Sequence, residues 1–310
     1  MINCFYPENQ RERYAENIKY FASPTLLNEA AQNNLILEAR VISCDAQHNL
    51  HLDLGCMRGV IPRSQGALGI DSGKVRDIAL ISRVGKSVCF TVEKICYADN
   101  AKPYALLSRS KAQQLCMDNF ISQLCPGKII DATVTHLDSF GAFCDIGCGI
   151  IALLPIDAIS VSRIAHPKDR FCAGQNIKVA IKSVTADGRI TLTHKELLGT
   201  WEENVAELCA GQTVSGVVRT IEDYGIFIEL APNLAGLAEP KDNVFAGQTA
   251  SVYIKSIIPE KMKIKLIIID SFDTPSPQRI NYFIDNGHID CWRYSPDVCE
   301  KVIETDFTLL

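Results

Sequence analysis

Several absences narrow the possibilities before any motif is read. Nothing in the 310 residues matches GxxxxGK[ST], HExxH, GxSxG, or GxGxxG after a strand, so the usual signatures of nucleotide hydrolysis, zinc peptidase, serine hydrolase and dinucleotide chemistry are missing. A non-enzymatic protein without a cofactor, a metal or a small-molecule substrate is the expectation. No apolar run approaches the roughly 20 residues of a membrane span. The N-terminus, MINCFYPENQRERYAEN, turns polar within ten residues and has no export core. Basic charge is not in excess either: 31 Lys and Arg stand against 36 Asp and Glu, a net charge of -5. That argues against a chain coated in positive charge for tight nonspecific DNA binding. The 13 cysteines are odd in number, scattered and free of any CxxC pair. Without an export core they read as reduced thiols of a cytoplasmic protein.

What is present is ample apolar content, 47% of residues, in short strand-like runs separated by turn residues. Residues 126–196 read as one complete small barrel. A period-two run from Ile129 to Thr135 meets a turn at Asp138-Ser139, and Phe140 and Phe143 bracket Gly141-Ala142. A second strand ends near Ile146 at the Gly147 and Gly149 turn, and Ile150 to Leu154 makes a third. A polar connection with Arg163, His166, Lys168 and Arg170 follows. Ile177 to Ser183 and Arg189 to Thr193 then flank a turn at Ala186-Asp187-Gly188. Five short strands with the long connection after the third point to an OB-type barrel.

The pattern recurs on both sides. After a stretch expected to be a connecting helix, residues 197–208, Thr200 and Glu203 stand at capping-box spacing. In residues 209–270, Tyr224 and Phe227 then repeat Phe140 and Phe143 at a spacing of roughly 85 residues. The connection after the third strand is cut to about ten residues here. Upstream, residues 35–110 form a more divergent barrel whose turn region, His48 to Leu52, has no such aromatics. Residues 1–34 form a helical arm, with Ser23-Pro24 as a helix start, and residues 111–125 a helical linker. The fold expected is therefore mainly β: tandem five-stranded OB-type barrels joined by short helices. Residues 271–310 open with a Pro-Ser linker, TPSPQ, and hold three cations against seven acids. The barrels at 35–110 and 126–196 hold ten against seven and eight against seven.

These residues carry a resemblance. The run FGAF at 140–143, the Ala173-Gly174-Gln175 entry to the fourth strand and the closing Arg189 to Lys195 are similar to the repeated RNA-binding domain of the ribosomal protein S1 family. The resemblance implies single-stranded RNA, messenger RNA in particular, as partner, and a role in translation at the small ribosomal subunit. It implies bases stacked on Phe140 and Phe143, and on Tyr224 and Phe227 one repeat later, with phosphates met by Arg189, Lys182, Lys255 and Lys263. OB strands present aromatics on which bases stack nearly blind to sequence. The alternative for Phe143, weaker than stacking, is a core residue, and isolated surface lysines usually do nothing specific.

There are departures. Pro155, and Glu239 in the third repeat, stand where the family often has histidine, and Thr185 stands where it has aspartate; Glu239 would repel phosphate. Together with the acidic end they leave open an alternative, a protein-interaction adaptor built on drifted barrels. His288, Cys291 and Cys299 suggest a metal site only faintly, since a fourth ligand is not obvious.

Overall fold

The computed structural model describes residues 5–11, 14–98, 101–185, 188–273 and 280–309. The expected turn residues Ala186 and Asp187 and the TPSPQ linker lie outside them. Three closed five-stranded barrels follow one another. The first is built from β1 (Ile36–Cys44), β2 (Leu50–Asp53), β3 (Arg58–Ile61), β4 (Ser87–Ala98) and β5 (Ala101–Ser108). The second comprises β6 (Ile129–Asp138), β7 (Gly141–Asp145), β8 (Ile151–Pro155), β9 (Asn176–Val184) and β10 (Ile190–Thr193). The third comprises β11 (Thr213–Glu222), β12 (Gly225–Ala231), β13 (Leu234–Ala238), β14 (Thr249–Ile258) and β15 (Lys263–Phe272). In each, the first three strands form a meander and the fifth pairs between the third and the fourth, with the third and fifth parallel. This strand order is that of an OB-type barrel.

The connecting helices are short. Helices α1 (Ala15–Ile18) and α2 (Pro24–Gln32) precede the first barrel. Ser23 caps α2, its Oγ accepting from the Leu26 amide at 3.3 Å, and Pro24 fits the first turn because its missing N–H would be unpaired there anyway. Tyr20, Leu27 and Ala30 from this arm are buried in one cluster with Val41, Leu52, Phe90 and Leu107 of the barrel. Helix α3 (Ile78–Ile81) sits in the β3–β4 connection, and α4 (Arg109–Asn119) follows the first barrel. The helix expected over residues 197–208 is reduced to α5 (Trp201–Val205). Its capping box forms, with the Thr200 amide donating to Glu203 Oε2 at 2.7 Å and the Glu203 amide to Thr200 Oγ1 at 3.2 Å. Gly199, at φ +80°, breaks the helix before the cap.

Two compact units result. One holds Met1–Leu124, Asp131–Thr133 and Asp145–Ile151; the other holds Cys125–Ile130, Val134–Cys144 and Ala152–Leu310. Within the first, the buried Glu8 carboxylate accepts from Arg109 Nε at 2.7 Å, Arg83 NH1 at 3.2 Å and the Cys89 amide at 3.2 Å. Burial alone would raise the Glu8 carboxyl, but the two guanidiniums more than offset it and hold it below the usual range. The Glu8 amide in turn donates to Asp145 Oδ2 at 2.8 Å. In the second unit, buried Glu229 is gripped by Arg170, NH1 to Oε1 at 2.6 Å, and by Arg219, Nε to Oε2 at 2.9 Å. A buried carboxylate held by two guanidiniums is costly to break from either side.

The C-terminal segment is part of this second unit. Strands β16 (Cys291–Arg293) and β17 (Glu304–Asp306) pair with each other. Ile289, Trp292, Tyr294 and Phe307 are buried in one cluster with Ile226, Ile254 and Leu266 of the third barrel. The backbone at 287–289 also hydrogen-bonds that of 127–129, Ile289 N to Gly127 O at 2.9 Å and Ile129 N to Gly287 O at 3.2 Å.

Candidate nucleic-acid interface

In the second barrel the β6–β7 turn sets the site. A Cβ added at Gly141 would lie 2.5 Å from the Leu154 carbonyl oxygen, so only glycine lets β7 cross β8 this closely. The crossing places Phe140 at the turn, 51% exposed, and Phe143 half-buried on β7. Their rings meet edge to face at 5.8 Å and 89°, a favoured aromatic geometry. The third barrel repeats the device. A Cβ at Gly225 would meet the Ala238 carbonyl oxygen at 2.6 Å. Tyr224 is 67% exposed, and its ring meets that of half-buried Phe227 at 6.1 Å and 88°.

One ring was not among those expected. His136, exposed on β6, stacks on Phe143 at 6.2 Å between centroids and 28° between planes. It carries no motif of its own. Only the pairing of β6 with β7 brings it beside the phenylalanine. In the third barrel Thr220 holds the position opposite Phe227, so the third ring belongs to the second barrel.

Of the expected cations, Lys182 is half-buried on β9, and Arg189 is exposed just before β10. Thr185 closes the turn between those strands. Its amide donates to the Arg189 carbonyl at 2.9 Å, and the Arg189 amide donates to its Oγ1 at 3.1 Å. In the third barrel Lys263 is exposed at the start of β15, whereas Lys255 lies 3.7 Å from Glu239 Oε1. Glu239 therefore occupies one of the expected phosphate contacts as well as opposing phosphate itself. In the connection after β8, His166 and Asp169 are spent on a local cap. The Lys168 amide donates to His166 Nδ1 and the His166 amide to Asp169 Oδ2, both at 3.0 Å.

The first barrel has polar rings where the others have aromatic pairs. His48, in the left-handed region at φ 62°, and His51 on β2 stand three residues apart, as Phe140 and Phe143 do. His51 Nε2 lies 3.0 Å from Asp45 Oδ2, and Arg58 donates to its Nδ1 at 2.7 Å. Hydrogen bonds from Asn49, side chain and amide, hold the Asp45 carboxyl down to about 2. His48 lies 3.6 Å from Asp77, which also accepts from Arg63 Nε at 2.7 Å. His48, His51 and Arg63 thus each have a carboxylate at hand.

His288 faces Pro126 O at 2.8 Å and Asp290 Oδ1 at 3.1 Å, Cys291 is exposed and Cys299 buried. No group of three metal-ligating side chains converges among the described residues. None of the described helices is long and apolar enough to cross a membrane.

Comparison with known proteins bears on these barrels. Residues 124–195 match the S1 RNA binding domain family. The chain is 30% identical over 263 residues to the small ribosomal subunit protein bS1 of Staphylococcus aureus (strain COL), covering 79% of this chain and 64% of that protein. It is 28% identical over 251 residues to the bS1 of Leuconostoc lactis, covering 74% and 55%. The chain therefore spans less than two thirds of the length of either relative. A solved multidomain protein with nucleic acid binding domains from Streptococcus pneumoniae aligns over 76% of the chain at 12% identity and a TM-score of 0.25, too low to carry an argument. Residues 124–195, an OB-type barrel, are thus an S1-type domain, and the chain is similar to bS1 proteins over most of its length.

Proposed function

We propose that the chain binds single-stranded RNA, messenger RNA in particular, in translation on the small ribosomal subunit, and that it does so in the cytoplasm without catalysing a reaction. The observation that carries this reading is the Phe140–Phe143 pair, Phe140 exposed and Phe143 half-buried, on the barrel that matches the S1 RNA binding domain. Bases stack on Phe140 and Phe143 and on Tyr224 and Phe227, while Lys182, Arg189, Lys255 and Lys263 meet phosphates. The S1-type domains are bounded at about 35–110, 126–196 and 209–270 in this reading. In this reading the second barrel is a stronger site than the third, and the contact of Lys255 with Glu239 supports that order.

The test is binding of a fluorescent single-stranded RNA of about 20 nucleotides, at low and then physiological salt. Replacing both Phe140 and Phe143 by alanine is expected to weaken affinity about tenfold or more, since stacking contributes about 1–3 kcal/mol per base. Unchanged affinity would refute the stacking assignment.

One observation favours a second role, as a protein-interaction adaptor, for the first barrel. Its His48–His51 face is internally compensated by Asp45 and Asp77, which leaves little net charge to attract phosphate. A protein captured by the chain equally well before and after nuclease treatment would support that role. Capture that disappears with nuclease would assign the first barrel to RNA as well.

A further inference from the structure

We infer that His136 is a third RNA contact of the second barrel, one that extends the stacking platform of Phe140 and Phe143. The inference rests on the RNA-binding reading above and deepens it. His136 stacks on Phe143 with 28° between the ring planes, and Phe143 meets Phe140 edge on. The three side chains make a row in which an imidazole, not a third phenyl ring, stands at the β6 end. His136 is exposed, and among the described residues it has no hydrogen-bond or ion-pair partner. Both of its ring nitrogens are therefore available to a ligand.

The contrast with the other histidines is direct. His194 is buried with both nitrogens engaged, and His51 is bracketed by Asp45 and Arg58. The imidazole of His136 can stack as an aromatic ring and also hydrogen-bond a base edge or a phosphate, which a phenylalanine cannot.

Charged groups also stand on β6, on β7 and on the segment entering β9. On β6 they are Asp131 and Asp138, the latter accepting from the Ser139 amide at 2.7 Å. On β7 the only acid is Asp145, buried and accepting from the Gly147 and Gly149 amides at 2.9 and 3.0 Å. The segment entering β9 closes on Val134, whose amide donates to the Gln175 carbonyl at 2.9 Å. Its charged residues are Lys168, Asp169, tied to the Ala165 and His166 amides, and Arg170, paired with Glu229.

The experiment measures RNA affinity of the full chain, at low and then physiological salt, for the natural protein, H136F, H136A and F140A/F143A. H136A is expected to lose about fivefold or more, and H136F to restore the stacking. Natural affinity for H136A while F140A/F143A binds weakly would overturn the inference, an outcome that leaves the RNA reading standing. Natural affinity in F140A/F143A would overturn the platform itself, and this inference with it.

Discussion

Glu239 and Lys255 show how one residue can set the strength of a whole face. Both side chains are largely exposed, so their 3.7 Å contact has little structural value. On the proposed RNA-binding reading its consequence is electrostatic: the carboxylate would screen the lysine from phosphate and repel phosphate directly. Replacing Glu239 with glutamine should strengthen single-stranded RNA binding about two- to threefold at low salt without a measurable change in stability. Fluorescence titration and a thermal melt check both halves. A substitution that weakens binding would show that the third barrel does not take RNA by this face. Thr185 teaches a related lesson. It stands where the resemblance expects an acid, and it spends its hydroxyl closing the β9–β10 turn on Arg189.

At the scale of the element, the decisive feature is the glycine inside each aromatic pair. Gly141 and Gly225 sit where a Cβ would press on a carbonyl oxygen of the next strand, Leu154 O at 2.5 Å and Ala238 O at 2.6 Å. The partner atoms are backbone, so the strand itself must move to admit a methyl group. Substituting alanine for Gly141 should therefore destabilise the second barrel by about 1–3 kcal/mol, the usual range for overpacking. It should also weaken RNA binding, since β7 carries Phe143. Denaturant unfolding measures the first effect. A G141A protein as stable as the parent would mean that β7 and β8 have room to part. The glycine and its flanking aromatics are legible in the sequence as a unit, which is why Phe140, Phe143, Tyr224 and Phe227 could be named from their spacing. His136 could not, because cross-strand neighbours are decided by register rather than by sequence distance.

For the whole molecule, the two units carry buried titratable groups of opposite sign. In the second unit His194 sits in a closed chain of donors. The Lys178 amide donates to Tyr282 Oη at 3.1 Å, and the Tyr282 hydroxyl to His194 Nε2 at 3.2 Å. His194 Nδ1 then donates to the Ile159 carbonyl at 2.8 Å. Burial, with Arg170 adding to it against the Ile159 hydrogen bond, pushes the imidazole from 6.5 down to about 4. The folded form thus refuses a proton that the unfolded chain accepts. Stability from this group is full above pH 6.5 and is lost as the pH falls towards 4, on the order of 3 kcal/mol. In the first unit, burial raises Glu38 and Asp145 to about 7. Their contribution has the other sign, greatest at acid pH and lost as the pH rises from about 4 towards 7. Going from about pH 7.5 to 4.5, the natural protein should lose more stability than H194Q does and gain more from its carboxyls than E38Q does. Parallel curves of unfolding free energy against pH for all three proteins would contradict both assignments.

The sequence by itself determined the β class, the barrel type and its recurrence. Those properties depend on local patterns: period-two apolar runs, turn residues, and a glycine set between two aromatics. It also determined the S1-type domain, through motifs spaced along residues 126–196. Tertiary structure alone decided which charges are free to act. Glu239 meets Lys255, Arg170 and Arg219 close on Glu229, and Asp45 and Asp77 answer the first barrel's histidines. It also decided that residues 280–309 bury Trp292 and Phe307 against the third barrel, although their composition reads as an acidic end. The physical reason is range. Strand and turn preferences act over a few residues, whereas ion pairs and apolar contacts act between residues brought together only when the barrels close.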